Sequence, residues 1–341
     1  MLSEETYQIH RTIIYCFVLF FEVFGLFGNI NLVVLTIRKK SLRTKYGCIL
    51  ATLATIHTLC LLYELVDMSF SIAATFYSYK ILRGVCFKAV FPYIFLNSMQ
   101  TGTMWILSLD LLITIIFPLK SRHFNIPIYF SLLFFFPVVY GSTAIIFGYM
   151  YLDDETLPMC NPPSALHPIV QAQWYYFMMV FTILTVVFYT IALALIYYKA
   201  HRHNSDIRYV ERKALKTLKY LIFLFVMFRF ITITIASVLI AVGVDKEIVA
   251  LVQNYNVLAQ IVAYSQNAYV CYYRSSEYRL LLSEQISKIH PKLVNILPKL
   301  SGESSIEGQQ WHLSGVSIIT TKPFKPRLKS KSEQQNNLND N

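Results

Sequence analysis

The sequence predicts an all-α membrane protein, a bundle of seven transmembrane helices. Three observations carry this. Of 341 residues, 55% are apolar by type and only 14% are charged, whereas a soluble chain of this length carries roughly 25% charge. The mean hydropathy is +0.49. Apolar stretches of the roughly 20 residues needed to cross about 30 Å of hydrocarbon recur along the chain. Long unbroken runs mean helices, because barrel strands are about 10 residues long and alternate. Disorder, a secreted disulfide scaffold (6 Cys) and an ordinary cytosolic enzyme are excluded on the same grounds.

The spans run over Thr12–Ile37, Tyr46–Thr75, Phe87–Phe117, Ile126–Leu152, Gln171–Tyr198, Thr217–Gly243 and Ile248–Tyr273. The first has no small-residue cleavage site after it and is too long for a signal peptide, so it counts as a span. The domains expected are a 1–11 extracellular N-terminus, a 12–273 transmembrane region, a 274–291 amphipathic membrane-surface helix and a 292–341 disordered cytoplasmic tail. The tail is polar and ends TKPFKPRLKSKSEQQNNLNDN.

Charge sets the orientation. The net charge is +11, and 24 of the 30 Lys and Arg fall on one side: RKKSLRTK after span one, Lys120 and Arg122 after span three, the run from Lys199 to Lys219 after span five, and the tail. The opposite side carries Glu4, Glu5, Asp153, Asp154, Glu155, Asp245 and Glu247 with Arg11, Lys80, Arg83, Lys88 and Lys246. The positive-inside bias then places the N-terminus outside and the C-terminus in the cytoplasm. The basic excess is a membrane-facing surface, and nucleic acid is not an expected partner. Cys16, Cys48, Cys60 and Cys271 lie within or at the edges of spans, while Cys86 and Cys160 lie at the oxidising outer face. A disulfide between Cys86 and Cys160 is expected.

Gly28-Asn29 in span one, RKKSLRTK, Cys86-Phe87 at span three, Asp110 followed by Pro118 in SLDLLITIIFPLK, and Asn267 followed by YYRSSEYR resemble the nematode serpentine chemoreceptors, most closely the srsx class of the rhodopsin-like G-protein-coupled receptors. The resemblance covers about residues 12–285. It implies a plasma-membrane receptor, in sensory-neuron cilia for a chemosensory member, with a small-molecule ligand, a heterotrimeric G protein, and a kinase and arrestin at the tail. It implies no cofactor and no metal. In such receptors Asp-Arg-Tyr closes span three 24 residues after the Cys, and a Pro follows eight later. Asp110 and Pro118 stand at those spacings, and 24 residues at about 1.5 Å rise bring Asp110 to the inner interface. The chain departs from the pattern at Leu111 in place of the Arg, at His57 in place of the sodium-binding Asp, in span six, which reads FVMFRFITITI without Pro, and at Ala268 in place of the span-seven Pro.

Ionisable groups inside spans are costly and mark functional candidates facing the bundle interior. His57, Glu64, Asp67 and Ser71 share one face of span two, and Glu22 and Asn29 one face of span one. Tyr93, Asn97, Gln100, Thr101 and Ser108 line one side of span three. Gln253, Asn256, Gln260, Tyr264 and Asn267 step by three and four in span seven. By depth, the ligand-binding candidates are Glu64, Asp67, Tyr93, Asn97, Gln100, Arg229, Gln253, Asn256 and Gln260. Asn29, His57, Ser108 and Asn267 are assigned to helix–helix hydrogen bonding, which is also the bland reading of the ligand set. Arg229 pairs with Glu22, Glu64 or Asp67, or awaits an anionic ligand. His57 is a neutral core histidine or a pH-sensitive group. Tyr93 stands seven residues after Cys86, where amine receptors carry Asp, so a biogenic amine is not expected.

Coupling candidates are Asp110, Pro118 and the basic Arg208, Arg212, Lys213 and Lys216 of RYVERKALKTLK, which meets a G protein or sits against anionic lipid. No catalytic motif occurs, neither a Gly-rich phosphate loop nor His-Glu-x-x-His nor Gly-x-Ser-x-Gly, and the chain is not expected to be an enzyme. A neuropeptide receptor of the same fold is the near alternative. A transporter would show internal repeats, and a ligand-gated channel subunit an inside N-terminus.

Overall fold

The computed structural model describes residues 4–77, 80–157, 160–202, 219–228, 235, 238–239, 242–244 and 246–289. The helices are α1 (Glu4–Arg38), α2 (Lys45–Tyr77), α3 (Arg83–Ile116), α4 (Pro118–His123), α5 (Ile126–Met150), α6 (Pro162–Ala165), α7 (Pro168–Arg202), α8 (Lys219–Phe228), α9 (Lys246–Ser265), α10 (Asn267–Arg274) and α11 (Ser276–Ile289). Two short strands, β1 (Ile81–Leu82) and β2 (Thr156–Leu157), pair antiparallel with Ile81 opposite Leu157. Among the described residues α1, α2, α3, α5 and α7 are each long and apolar enough to cross a membrane, and α8 is a shorter apolar helix.

Local chemistry sets the boundaries. At 35 residues α1 is about 52 Å long, more than the roughly 30 Å of hydrocarbon a span must cross. A single 3-10 turn, Lys40–Leu42, reverses the chain. The Thr44 hydroxyl then accepts the Gly47 amide at 3.1 Å and caps α2. A Cβ on Gly47 would meet the Leu42 carbonyl oxygen at 1.9 Å, so the tight turn demands glycine there. Pro118 opens α4 and Pro162 opens α6, positions where a missing N–H costs nothing. Asn161 and Ser164 form a reciprocal capping box on α6.

The core is built around α3, which packs against α2, α5, α6 and α7. Two thirds of its apolar window is buried, against a third or less for α1, α5 and α7. Those outer helices turn Phe20, Val23, Ile128, Leu132, Phe135 and Ile183 outward, a surface that suits lipid and would aggregate in water. Between spans, close packing rather than the hydrophobic effect supplies the attraction. Gly102 of α3 lies so close to Pro137 of α5 that a Cβ would sit 2.4 Å from its ring. Trp174 of α7 donates to the Ser98 hydroxyl at 2.9 Å, and Tyr140 of α5 donates to the Trp174 carbonyl at 2.7 Å. These bonds tie three helices at one level.

Two ends of the bundle are distinguished by their ties. At one end the Cys86–Cys160 disulfide, with Cα atoms 5.5 Å apart, joins the top of α3 to the loop before α6, as the cysteine pattern led one to expect. Arg83, buried, pairs there with Asp153 and with Glu155 at 2.6 Å. At the opposite end α11 is docked on α1: Lys39 pairs with Glu284 at 2.7 Å and Gln285 donates to Asn31 Oδ1 at 2.8 Å. Its Tyr278, Leu281, Leu282 and Ile286 join a core with Leu32, Leu35 and Leu50. Burial pushes the Tyr278 hydroxyl above its ordinary range, helped by Cys271, Glu277 and Cys48. The seventh apolar stretch is two helices, α9 and α10, parted at Gln266. It breaks without the proline whose absence the sequence had marked.

Candidate ligand site

A small cavity lies at the disulfide end between α1, α2, α9 and the loop carrying Cys160 and Asn161. Its volume is about 30 Å³, room for a water or two. Its polar wall comes from α2, where Glu64 and Asp67 are one turn apart and point the same way. Ile14, Val18 and Val257 make the apolar wall. The disulfide fixes the roof, since Cys160 itself lines the space.

The two acids are both buried, Glu64 6% and Asp67 4% exposed, but they differ in partners. The Tyr93 hydroxyl of α3 donates to Glu64 at 2.6 Å. Neither carboxylate oxygen of Asp67 has a hydrogen-bond partner among the described residues. The same holds for Glu22 of α1, 1% exposed, whose carboxylate feels that of Glu64.

A polar chain descends from the cavity. The Tyr93 hydroxyl lies 3.4 Å from that of Tyr264, to which the Gln260 amide also donates. The Tyr264 carbonyl accepts Asn29 Nδ2 at 2.9 Å. Below it, Asn267 Nδ2 and His57 Nδ1 are 2.7 Å apart. This contact bridges α2 and α10.

The sequence candidates therefore separate. Glu64 and Asp67 line the cavity, and Tyr93 and Gln260 stand behind it in the polar chain. Asn97 and Gln100 are buried on α3, 2% exposed each, away from the cavity wall. Asn256 is half-buried on α9. Arg229 and the Gln253 side chain lie outside the described residues, as do Arg208, Arg212, Lys213 and Lys216. Asn29 donates to the Tyr264 carbonyl of α9, and Asn267 and His57 are bonded to one another across α10 and α2. Asn161 was missed, although its place beside Cys160 would have signalled it.

At the other end, Asp110 accepts the Tyr129 hydroxyl at 2.7 Å. The Lys45 ammonium lies 4.8 Å from the ring centres of both Tyr129 and Phe124 and donates to the Ser121 carbonyl. Asp110 thereby anchors the connection from α3 to α5. Pro118 is exposed at the start of α4.

Residues 22–286 match the serpentine type 7TM GPCR chemoreceptor Srsx family. The chain belongs to that family. The match spans more than three quarters of the chain. No curated protein matches it. As an Srsx-family member the chain is a multi-pass membrane protein and a chemosensory receptor of the G-protein-coupled type, not an enzyme. Among the described residues no cluster of His, Cys, Asp or Glu is arranged to hold a metal.

Proposed function

We propose that this Srsx-family chain sits in the plasma membrane with its amino end outside, binds a small extracellular molecule at the disulfide end, and signals to a heterotrimeric G protein at the other. The observation that carries the binding reading is the buried carboxyl of Asp67, without a hydrogen-bond partner among the described residues, in a cavity roofed by a covalently tethered loop. Burying a carboxylate costs several kcal/mol unless something pairs with it. Asp110, by contrast, accepts a hydroxyl from Tyr129.

The polar chain through Glu64, Tyr93, Tyr264 and Asn29 supports a route for the signal, because it crosses α1, α2, α3 and α9. A ligand that engages Glu64 or Asp67 more strongly in one helix arrangement than in another shifts the population toward it. The cavity is small, about 30 Å³, in keeping with a small ligand. The G protein would meet the end that holds Asp110, Pro118 and the basic Arg208, Arg212, Lys213 and Lys216.

Cells expressing the chain with a tag at each end test this. The amino-terminal tag should be labelled without permeabilisation and the carboxyl-terminal tag only after it. A screen of small volatile and soluble compounds should then give a second-messenger response whose potency shifts at least about tenfold in Asp67→Asn. Labelling of both tags on intact cells, or unchanged potency in Asp67→Asn and Glu64→Gln alike, would refute the proposal.

A further inference from the structure

We infer that the cavity beneath the Cys160–Asn161 loop is a subsite for a primary ammonium group carried on a short apolar stem. This deepens the proposed function and rests on it. Two buried acids, Asp67 and Glu64, share the cavity wall, and Glu22 of α1 is a third buried acid within electrostatic reach of Glu64. The ion pairs among the described residues, Lys39 with Glu284 and Arg83 with Asp153 and Glu155, leave all three out. Both Asp67 oxygens and both Glu22 oxygens have no hydrogen-bond partner among the described residues. Burial and mutual proximity disfavour the ionised form of such carboxyls, and a cation among them would favour it while an anion would oppose it.

Hydrogen bonding narrows the cation further. Carboxylates are acceptors, and an ammonium brings three donors and no acceptor. Asp67 offers two oxygens for them. Size narrows it again. The cavity is small, about 30 Å³, and a compact ammonium crowds its walls less than a bulkier trimethylammonium or guanidinium does. Ile14, Val18 and Val257 give the stem an apolar wall to lie against.

This site differs from the amine arrangement that Tyr93 argues against in the sequence. There the acid stands on α3, whereas here the α3 position carries a tyrosine that donates to Glu64. The acids have moved one helix over, to α2 and α1. Tyr93 keeps Glu64 oriented and leaves Asp67 to meet the ligand.

The test uses the full chain in lipid nanodiscs at pH 7, with hexylammonium, hexanol, hexanoate and hexyltrimethylammonium as probes, read by thermal unfolding and by second messenger in cells. Hexylammonium should bind at least about tenfold more tightly than hexanol and than the trimethyl form, and hexanoate more weakly than either. Asp67→Asn should erase the preference, and Glu284→Gln at the other end should keep it. Should Asp67→Asn not fold, the preference of the natural chain and of Asp67→Glu decides. Equal or better binding of hexanol or hexanoate overturns the ammonium and leaves the receptor reading standing. So does stabilisation by calcium or zinc with none by hexylammonium. Binding of none of the four, with no response to a broad panel, overturns both.

Discussion

Asp67 and Asp110 lie near opposite ends of the bundle and are almost equally hidden, 4% and 6% exposed. Asp110 accepts a tyrosine hydroxyl, with Lys45 beside that ring. Asp67 accepts nothing among the described residues. Burial alone therefore does not tell scaffold from site. Satisfaction separates them: the acid with a partner ties helices together, and the acid with none among the described residues is the one we propose meets a ligand.

The largest effect expected at either end is at the disulfide. It spans a sequence separation of 74, and loop entropy alone assigns such a link about 4 kcal/mol. Cys160→Ser should lower the thermal unfolding midpoint of the solubilised receptor by the equivalent, and reductant should do the same to the natural chain. An unchanged midpoint would mean that the roof of the cavity is not held covalently.

Next comes Tyr129→Phe. It strands the Asp110 carboxylate in a buried place and should cost about 2 to 3 kcal/mol, seen in the same melt. A midpoint equal to that of the natural chain would remove the contrast between the two acids from the Asp110 side.

The matched pair Asp110→Ala and Asp67→Ala sharpens the comparison directly, because both delete the same atoms. Asp110→Ala should cost about 2 kcal/mol. Asp67→Ala should cost under about 0.5 kcal/mol, or stabilise, since it removes a buried carboxyl that has no hydrogen-bond partner among the described residues. Equal losses would show that Asp67 has a structural partner after all.

The smallest effect is at α11. Lys39 and Glu284 are each more than a third exposed, so Glu284→Gln should cost no more than about 0.5 kcal/mol, and about 0.5 M salt should abolish the difference. A larger, salt-insensitive loss would make this pair part of the core.

Much of this contrast was legible in the sequence. Hydropathy located the helices, and helical spacing put His57, Glu64 and Asp67 on one interior face. Compartment chemistry paired Cys86 with Cys160. What periodicity cannot supply is which neighbour a face meets. That is why Asn97 and Gln100 were grouped with Asp67 although the cavity opens toward α1 and α9. Nothing near Asp110 announces Tyr129, a bond across 19 residues and a helix turn. The two-residue β1–β2 pairing is too short to leave an alternating pattern, and the interruption at Gln266 carries neither glycine nor proline at that residue. The α6 cap, by contrast, was there to be read in Asn161 and Ser164.

The docking of α11 on α1 has a practical consequence. Its buried face is held by Leu32, Leu35 and Leu50, while Leu280 on the other face is 63% exposed. A fluorophore introduced as Leu280→Cys would ride with α1 as a stationary beacon, and a second dye on α8 would then report displacement against it.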